Sequence, residues 1–107
     1  MYRIRRVWET KPREARAVAT LVAKVGHIYE KAGQRGPSTV TFNGGTVPGK
    51  PNRVYMEWTE EVINSPYRGE NEFPEMGDLG QQIRDRTDRS WIDFYELMTP
   101  DKEQARD

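Results

Sequence analysis

Residues 2–9 alternate between two sets of side chains. The set with the large aromatic residues is Tyr2, Ile4, Arg6 and Trp8. The other set, which is mostly charged, is Arg3, Arg5, Val7 and Glu9. This period of two is typical of a β-strand and predicts that the two sets lie on opposite faces of a sheet.

A helical pattern follows this strand. Apolar residues recur every three or four positions over residues 18–32, which is the spacing of one face of an α-helix, and Tyr29 belongs to that face. Thr10 is the predicted N-cap, and Pro12 suits the first turn. Gly33 marks the predicted end of the helix.

Two short alternating segments, residues 38–43 and 53–59, predict a β-hairpin. Residues 44–51 between them are rich in glycine and proline, which predicts a long turn. This stretch is similar to a phosphate-binding loop, but Pro51 stands where that motif needs serine or threonine, so we interpret it as a hairpin loop. Residues 59–63 are expected to form a brief helical turn.

The remaining chain predicts one more helix and one more strand. Prolines and a glycine make residues 66–74 irregular. Residues 74–88 have helical spacing, and the side chains expected to face inward are Met76, Leu79 and Ile83. Residues 90–98 form the predicted last strand. We therefore expect a single domain over residues 1–98 and a loose, charged tail over residues 99–107.

The predicted order β-α-β-β-α-β is that of a ferredoxin-like fold of the α+β class, with a four-stranded antiparallel sheet. In this fold the helices cover one face of the sheet. The other face would carry Val7, Tyr55 and one side of the last strand, which are too apolar to face water. We therefore expect a homodimer, or a higher homo-oligomer, in which two sheets pack face to face as a dimeric α+β barrel.

Composition narrows the classes of function. The 107 residues fit one domain, and three Trp, five Tyr and three Phe are too many aromatics for a disordered chain. The 17 basic and 17 acidic side chains balance, so no overall field attracts nucleic acid or an anionic membrane. The absence of cysteine excludes disulfides and suits the cytoplasm. No apolar run has the length of a signal peptide or a membrane span.

Three segments carry a resemblance to a known family. Residues 1–12 combine a first strand with a Lys-Pro helix start, and residues 51–58 contain the pattern Asn-x-Val-x-x-x-Trp. Residues 73–76, Phe-Pro-Glu-Met, stand where the last helix begins. In these features the chain resembles the NIPSNAP-like members of the dimeric α+β barrel superfamily.

The resemblance implies a range of activities. The same barrel is used by antibiotic-biosynthesis monooxygenases, haem-degrading oxygenases, cyclases and lactone isomerases. In the haem-degrading branch, a Trp late in the third strand, a polar residue in the first strand and a His in the last helix line the pocket. Trp58 matches the Trp and Arg6 the polar residue, but residues 73–90 contain no histidine. We therefore expect no cofactor and no metal.

Arg6 is the most informative candidate for a binding site. It shares with Trp8 the strand face that should meet the helices, where a guanidinium needs a carboxylate or an anionic ligand. One interpretation is a pocket in which Arg6 holds an oxyanion and Trp8, Trp58 and Tyr29 surround the ligand. The alternative is a structural ion pair, or a side chain that extends to the sheet edge. Trp58 is either a core residue or a pocket wall.

Other polar residues are interpreted as structural. His27, the single histidine, falls on the polar side of the first helix and is expected to be solvated. Glu57 and Asp93 lie on the strands that should flank the first, where we expect ion pairs with Arg3 or Arg5. No catalytic residue is assigned.

Two functions of different class remain. The first is a dimeric barrel with a small-molecule pocket between sheet and helices, which binds a hydrophobic or anionic compound and acts on it as a cofactor-free oxygenase, cyclase or isomerase. The second is a non-catalytic homo-oligomer or protein-interaction module. An open cavity beside Arg6 and Trp58 favours the first, and a fully packed interior favours the second.

Overall fold

The computed structural model describes residues 1–63 and 76–105. Its elements, in chain order, are β1 (Tyr2–Thr10), α1 (Ala15–Lys31), β2 (Thr39–Asn43), β3 (Arg53–Glu60), α2 (Leu79–Asp85), β4 (Thr87–Glu96) and a 3-10 turn at Pro100–Lys102. The predicted α+β order is confirmed. The predicted irregular segment 66–74 and the predicted start of the second helix lie outside the described residues, as do residues 73–75 of the family resemblance.

The four strands form one antiparallel sheet in the order β2-β3-β1-β4. β1 is central, so that Arg6 lies opposite Met56 on one side and opposite Ile92 on the other. α1 packs against β2 and β3, and α2 packs against α1. None of the helices in the described residues has the length and hydropathy needed to cross a membrane.

The start of α1 differs from the sequence prediction. Thr10 is not its N-cap: the helix begins at Ala15, and Glu14 occupies the cap position without a side-chain hydrogen bond. Thr10 instead ends β1, where its backbone N–H donates to the Asn52 carbonyl over 2.8 Å. Sheet pairing therefore outweighs the local capping preference of threonine. Gly33 ends the helix as predicted and has a φ of 74°.

The second half of the chain departs from its predicted boundaries. The helical turn expected at 59–63 is wrong, because β3 continues to Glu60. α2 starts only at Leu79, since Gly77 has a φ of 58°, which no α-helix accommodates. β4 begins at Thr87 rather than at residue 90, because Thr87 pairs with the bulged end of β1.

The carboxyl end of α2 is tied to the turn that joins β1 to α1. The Lys11 backbone N–H donates to the Arg86 carbonyl over 2.9 Å, and the Lys11 Nζ donates to the Asp85 carbonyl over 3.0 Å. The Arg86 Nε lies 3.4 Å from a Glu14 carboxylate oxygen. These contacts join α2 to the same segment that leads into α1.

The predicted hairpin connection at 44–51 is confirmed, and Asn43 organises it. The Asn43 Oδ1 accepts a 2.8 Å hydrogen bond from the Gly45 N–H, and the Asn43 Nδ2 donates to the Val47 carbonyl over 3.1 Å. The Asn43 side chain thus supplies hydrogen bonds that the backbone of the turn does not make itself.

The sheet face away from the helices carries charged residues among its apolar ones. Val7 is 1% exposed within the single chain. The Arg5 guanidinium lies 4.3 Å from the ring centre of Tyr55. The predicted pair between Arg3 and Glu57 is confirmed at 3.4 Å. Stacked arginines therefore cover much of this face, because their long side chains extend over neighbouring rings.

Candidate functional site

A cleft of about 500 Å³ opens between the sheet and the two helices. α1 contributes Val25 and Tyr29, and β3 contributes Met56. The walls from β1, α2 and β4 include Arg6, Trp8, Ile83, Arg84 and Asp88. Three of the four predicted ligand residues, Arg6, Trp8 and Tyr29, are therefore brought together around one space.

The Arg6 side chain lies in this cleft with its guanidinium 5.1 Å from the ring centre of Trp8. It forms no ion pair with a carboxylate in the part of the chain that the structure describes. The expected burial of this guanidinium is wrong, since the side chain is exposed. The short α2 leaves this part of the sheet open, so Arg6 retains its hydration and needs no structural partner. Its role as a ligand residue stays a prediction.

Trp58 is a core residue and does not line the cleft. It is 3% exposed, and its Nε1 donates to the Glu60 carboxylate over 3.0 Å. The guanidinium of Arg35 lies 4.0 Å from the ring centre of Tyr29 and 4.1 Å from that of Trp58. Trp58 is therefore linked to the cleft through its contact with Arg35, which is a lining residue of the cleft.

Sequence reasoning missed Arg35, Arg84 and Asp88. Arg35 follows the end of α1, and no periodicity marks a loop residue that folds back between two rings. Residues 84 and 88 were placed on one long helix, whereas the structure divides them between α2 and β4. The short α2 is what brings both side chains to the cleft.

Among the described residues that line the cleft, Arg6 and Arg84 are positively charged and Asp88 is negatively charged. The two arginines form no ion pair with a described carboxylate. The guanidinium of Arg89 is engaged on the other face of the sheet, 3.5 Å from Glu9. The imbalance favours an occupant that carries negative charge.

Within residues 1–63 and 76–105, no three His, Asp or Glu side chains are grouped to hold a metal ion. His27 is exposed on α1, as predicted. The chemistry available in the cleft is therefore stacking on Trp8 and Tyr29, hydrogen bonding from arginine, and proton transfer by Asp88 or the Tyr29 hydroxyl.

The chain matches no protein-family model, and no curated protein matches it in sequence. The resemblance to the NIPSNAP-like proteins therefore stays a prediction.

Proposed function

We propose that the protein is a homodimeric α+β barrel of NIPSNAP-like type that binds a small hydrophobic or aromatic compound in the cleft of each protomer. The observation that carries this proposal is the cleft itself, whose volume of about 500 Å³ is typical of small-molecule sites. A fully packed interior would instead have favoured a purely structural role. The cysteine-free sequence suits the cytoplasm as the proposed location.

The floor of the cleft is rigid. Met56 and Ile83 line it and are also buried, at 1% and 7% exposure. Residues held by core packing keep their side-chain conformations, which lowers the entropy that a ligand must offset when it binds. Trp8 and Tyr29 add aromatic rings to the lining, with Arg6 over the ring of Trp8 and Arg35 over that of Tyr29.

A reaction in this cleft would depend on few groups. Oxygenation, cyclisation and isomerisation without a cofactor each need a proton to be moved. Among the described lining residues, Asp88 and Tyr29 supply a carboxyl group and a phenol, which general acid–base catalysis can use. The cleft therefore offers groups for acid–base chemistry together with aromatic rings that a ligand can contact.

The test is a screen of small aromatic and aliphatic compounds by saturation-transfer NMR. Ser90→Trp places an indole in the cleft, because Ser90 lies opposite Trp8 on the helix side of β4. Thr20→Trp, an exposed position on α1 outside the cleft, is the matched control. We expect binders that the control retains and that Ser90→Trp loses. Equal binding to both variants would overturn the proposal.

The dimer is proposed on the open sheet face. Tyr95 lies there and is 46% exposed. The same face carries acids and bases in the same strands, among them Arg3, Arg5, Glu57 and Asp93. A two-fold axis would place opposite charges of two copies against each other.

Neighbouring residues of β4 allow a matched test of the dimer. Tyr95 points to the open face and Phe94 to the helix side. We expect the native mass of a dimer, which Tyr95→Lys shifts to a monomer and Phe94→Lys does not. A wild-type monomer at all concentrations would exclude the barrel.

A further inference from the structure

Two arginines from different elements face the same cleft. Arg6 stands on β1 and Arg84 on α2, and both line the cavity. Both residues are exposed, so each guanidinium keeps its hydration and can bind an anion that enters the cleft. Neither forms an ion pair with a carboxylate of residues 1–63 or 76–105. This feature deepens the proposed ligand-binding function and rests on it.

Arg84 keeps unused hydrogen-bonding capacity. One of its terminal nitrogens donates to the Gln81 Oε1 over 3.1 Å. A guanidinium has five N–H donors, so most remain available to an acceptor in the cleft. Arg6 has its guanidinium over the ring of Trp8, a contact that leaves the N–H groups at its edge free to donate.

Arg84 folds back along its own helix. A Cβ at Gly80 would come 3.4 Å from the Arg84 Nη1, an ordinary van der Waals contact. The guanidinium therefore lies beside the first turn of α2, and Arg84 lines the cavity from there.

The size and walls of the cleft select among anions. A space of about 500 Å³ is far larger than an inorganic ion needs. Its apolar walls, Trp8, Val25, Tyr29 and Ile83, can bury a ring system next to the two arginines. An occupant with both a planar apolar body and a charged group uses all of these features.

We propose that the cleft binds a planar organic anion, with its charged group between Arg6 and Arg84 and its ring system against Trp8 and Tyr29. Asp88 lowers the positive potential of the site. The ligand class is an aromatic or conjugated carboxylate, sulfonate or phosphate of a small molecule.

Two fluorescent dyes that differ by one group provide the test. Anilinonaphthalene sulfonate carries the anion, and its parent phenylnaphthylamine lacks it. We expect the sulfonate to bind at least about tenfold more tightly at low salt, because a hydrogen-bonded charge pair contributes on this scale. The difference in affinity between the two dyes should decrease as the salt concentration rises, because salt screens the charges.

Single-residue variants test whether the preference for the sulfonate arises in the cleft. Arg84→Gln and Arg6→Gln should each lower the affinity for the sulfonate about tenfold and leave the affinity for the neutral dye unchanged. Asp88→Asn should raise the affinity for the sulfonate, since it removes a negative charge that repels the dye. Arg16→Gln, an exposed change on α1 outside the cleft, is the matched control and should change neither affinity. Circular dichroism of each variant verifies that it is folded.

The outcomes separate this inference from the proposed function. If both dyes bind equally, compete with each other and lose affinity in the Ser90→Trp variant, the cleft is a binding site but the anion inference is wrong. If the sulfonate binds and neither arginine variant affects it, the dye lies elsewhere and the inference is also wrong. If neither dye binds, both the inference and the proposed aromatic site are overturned.

Discussion

The helix side of the sheet has two unequal halves. On β3, Val54, Met56 and Trp58 are at most 3% exposed under α1. On β4, Ile92 and Phe94 occupy the same side and are 44% and 48% exposed. The strands are equally regular, but α1 has 17 residues and α2 has 7. The length of the covering helix, not the pattern of the strand, therefore decides which apolar residues are buried.

The cleft lies at the boundary between these halves. Arg6 lies opposite buried Met56 on one side and opposite exposed Ile92 on the other. An arginine at such a boundary can rest its aliphatic part on packed residues while its guanidinium stays hydrated. The uneven cover thus creates both the cavity and the conditions that allow a charge in it.

The largest loss of stability is expected for a substitution on the half of the sheet that α1 covers. Trp58→Ala removes a buried ring and the surface on which Arg35 stacks, and should lower the free energy of unfolding by about 3–5 kcal/mol. Urea denaturation followed by circular dichroism measures it. Phe94→Ala, on the exposed half, should cost much less. Equal losses would mean that the two halves are equally covered.

An intermediate loss of stability is expected at Gly26, where an added side chain on α1 would meet Ser38 and Met56. A Cβ at Gly26 would lie 2.6 Å from the Ser38 Oγ and 3.0 Å from the Met56 Cε. Gly26→Val should therefore force α1 outward and lower the free energy of unfolding by about 1–3 kcal/mol. Ala17→Val, an exposed position of the same helix, controls for the helix propensity of valine. A stability change no larger than that of the control would show that the contact yields freely.

The smallest effect is expected on the exposed half. Ile92→Thr keeps a β-branched residue in the strand and should change the free energy of unfolding by no more than about 0.5 kcal/mol. Val54→Thr, the same kind of change under α1, buries a hydroxyl group and should be clearly destabilising. Thermal melts of the two variants compare the halves directly. A large loss for Ile92→Thr would contradict the exposure of β4.

Periodicity predicted the parts of the molecule whose packing repeats along the chain. The alternation of Tyr2, Ile4, Arg6 and Trp8 placed Arg6 and Trp8 on the helix side, and the apolar stripe of α1 placed Tyr29 over them. The bounds of α2 could not be predicted, because Gly77 and the pairing of Thr87 set them, and the second is a long-range contact.

The missed residues of the site have a common physical origin. Arg35 and Arg84 reach the cleft through the path of a loop and the end of a short helix. Long, flexible side chains at such points can take several directions, and only the surrounding packing selects one. The sequence leaves Trp58 as either a core residue or a pocket wall, because the family resemblance and the strand position cannot distinguish a wall from the layer behind it.

The bond between Lys11 and the end of α2 has a mechanical consequence. Asp85 and Arg86 are held at the turn that leads into α1, and Leu79, at the other end of α2, packs against the buried core. The helix is therefore anchored at both ends, and the wall of the cleft that it forms keeps its position relative to α1. Compounds wider than the cleft should be excluded rather than accommodated by a shift of α2.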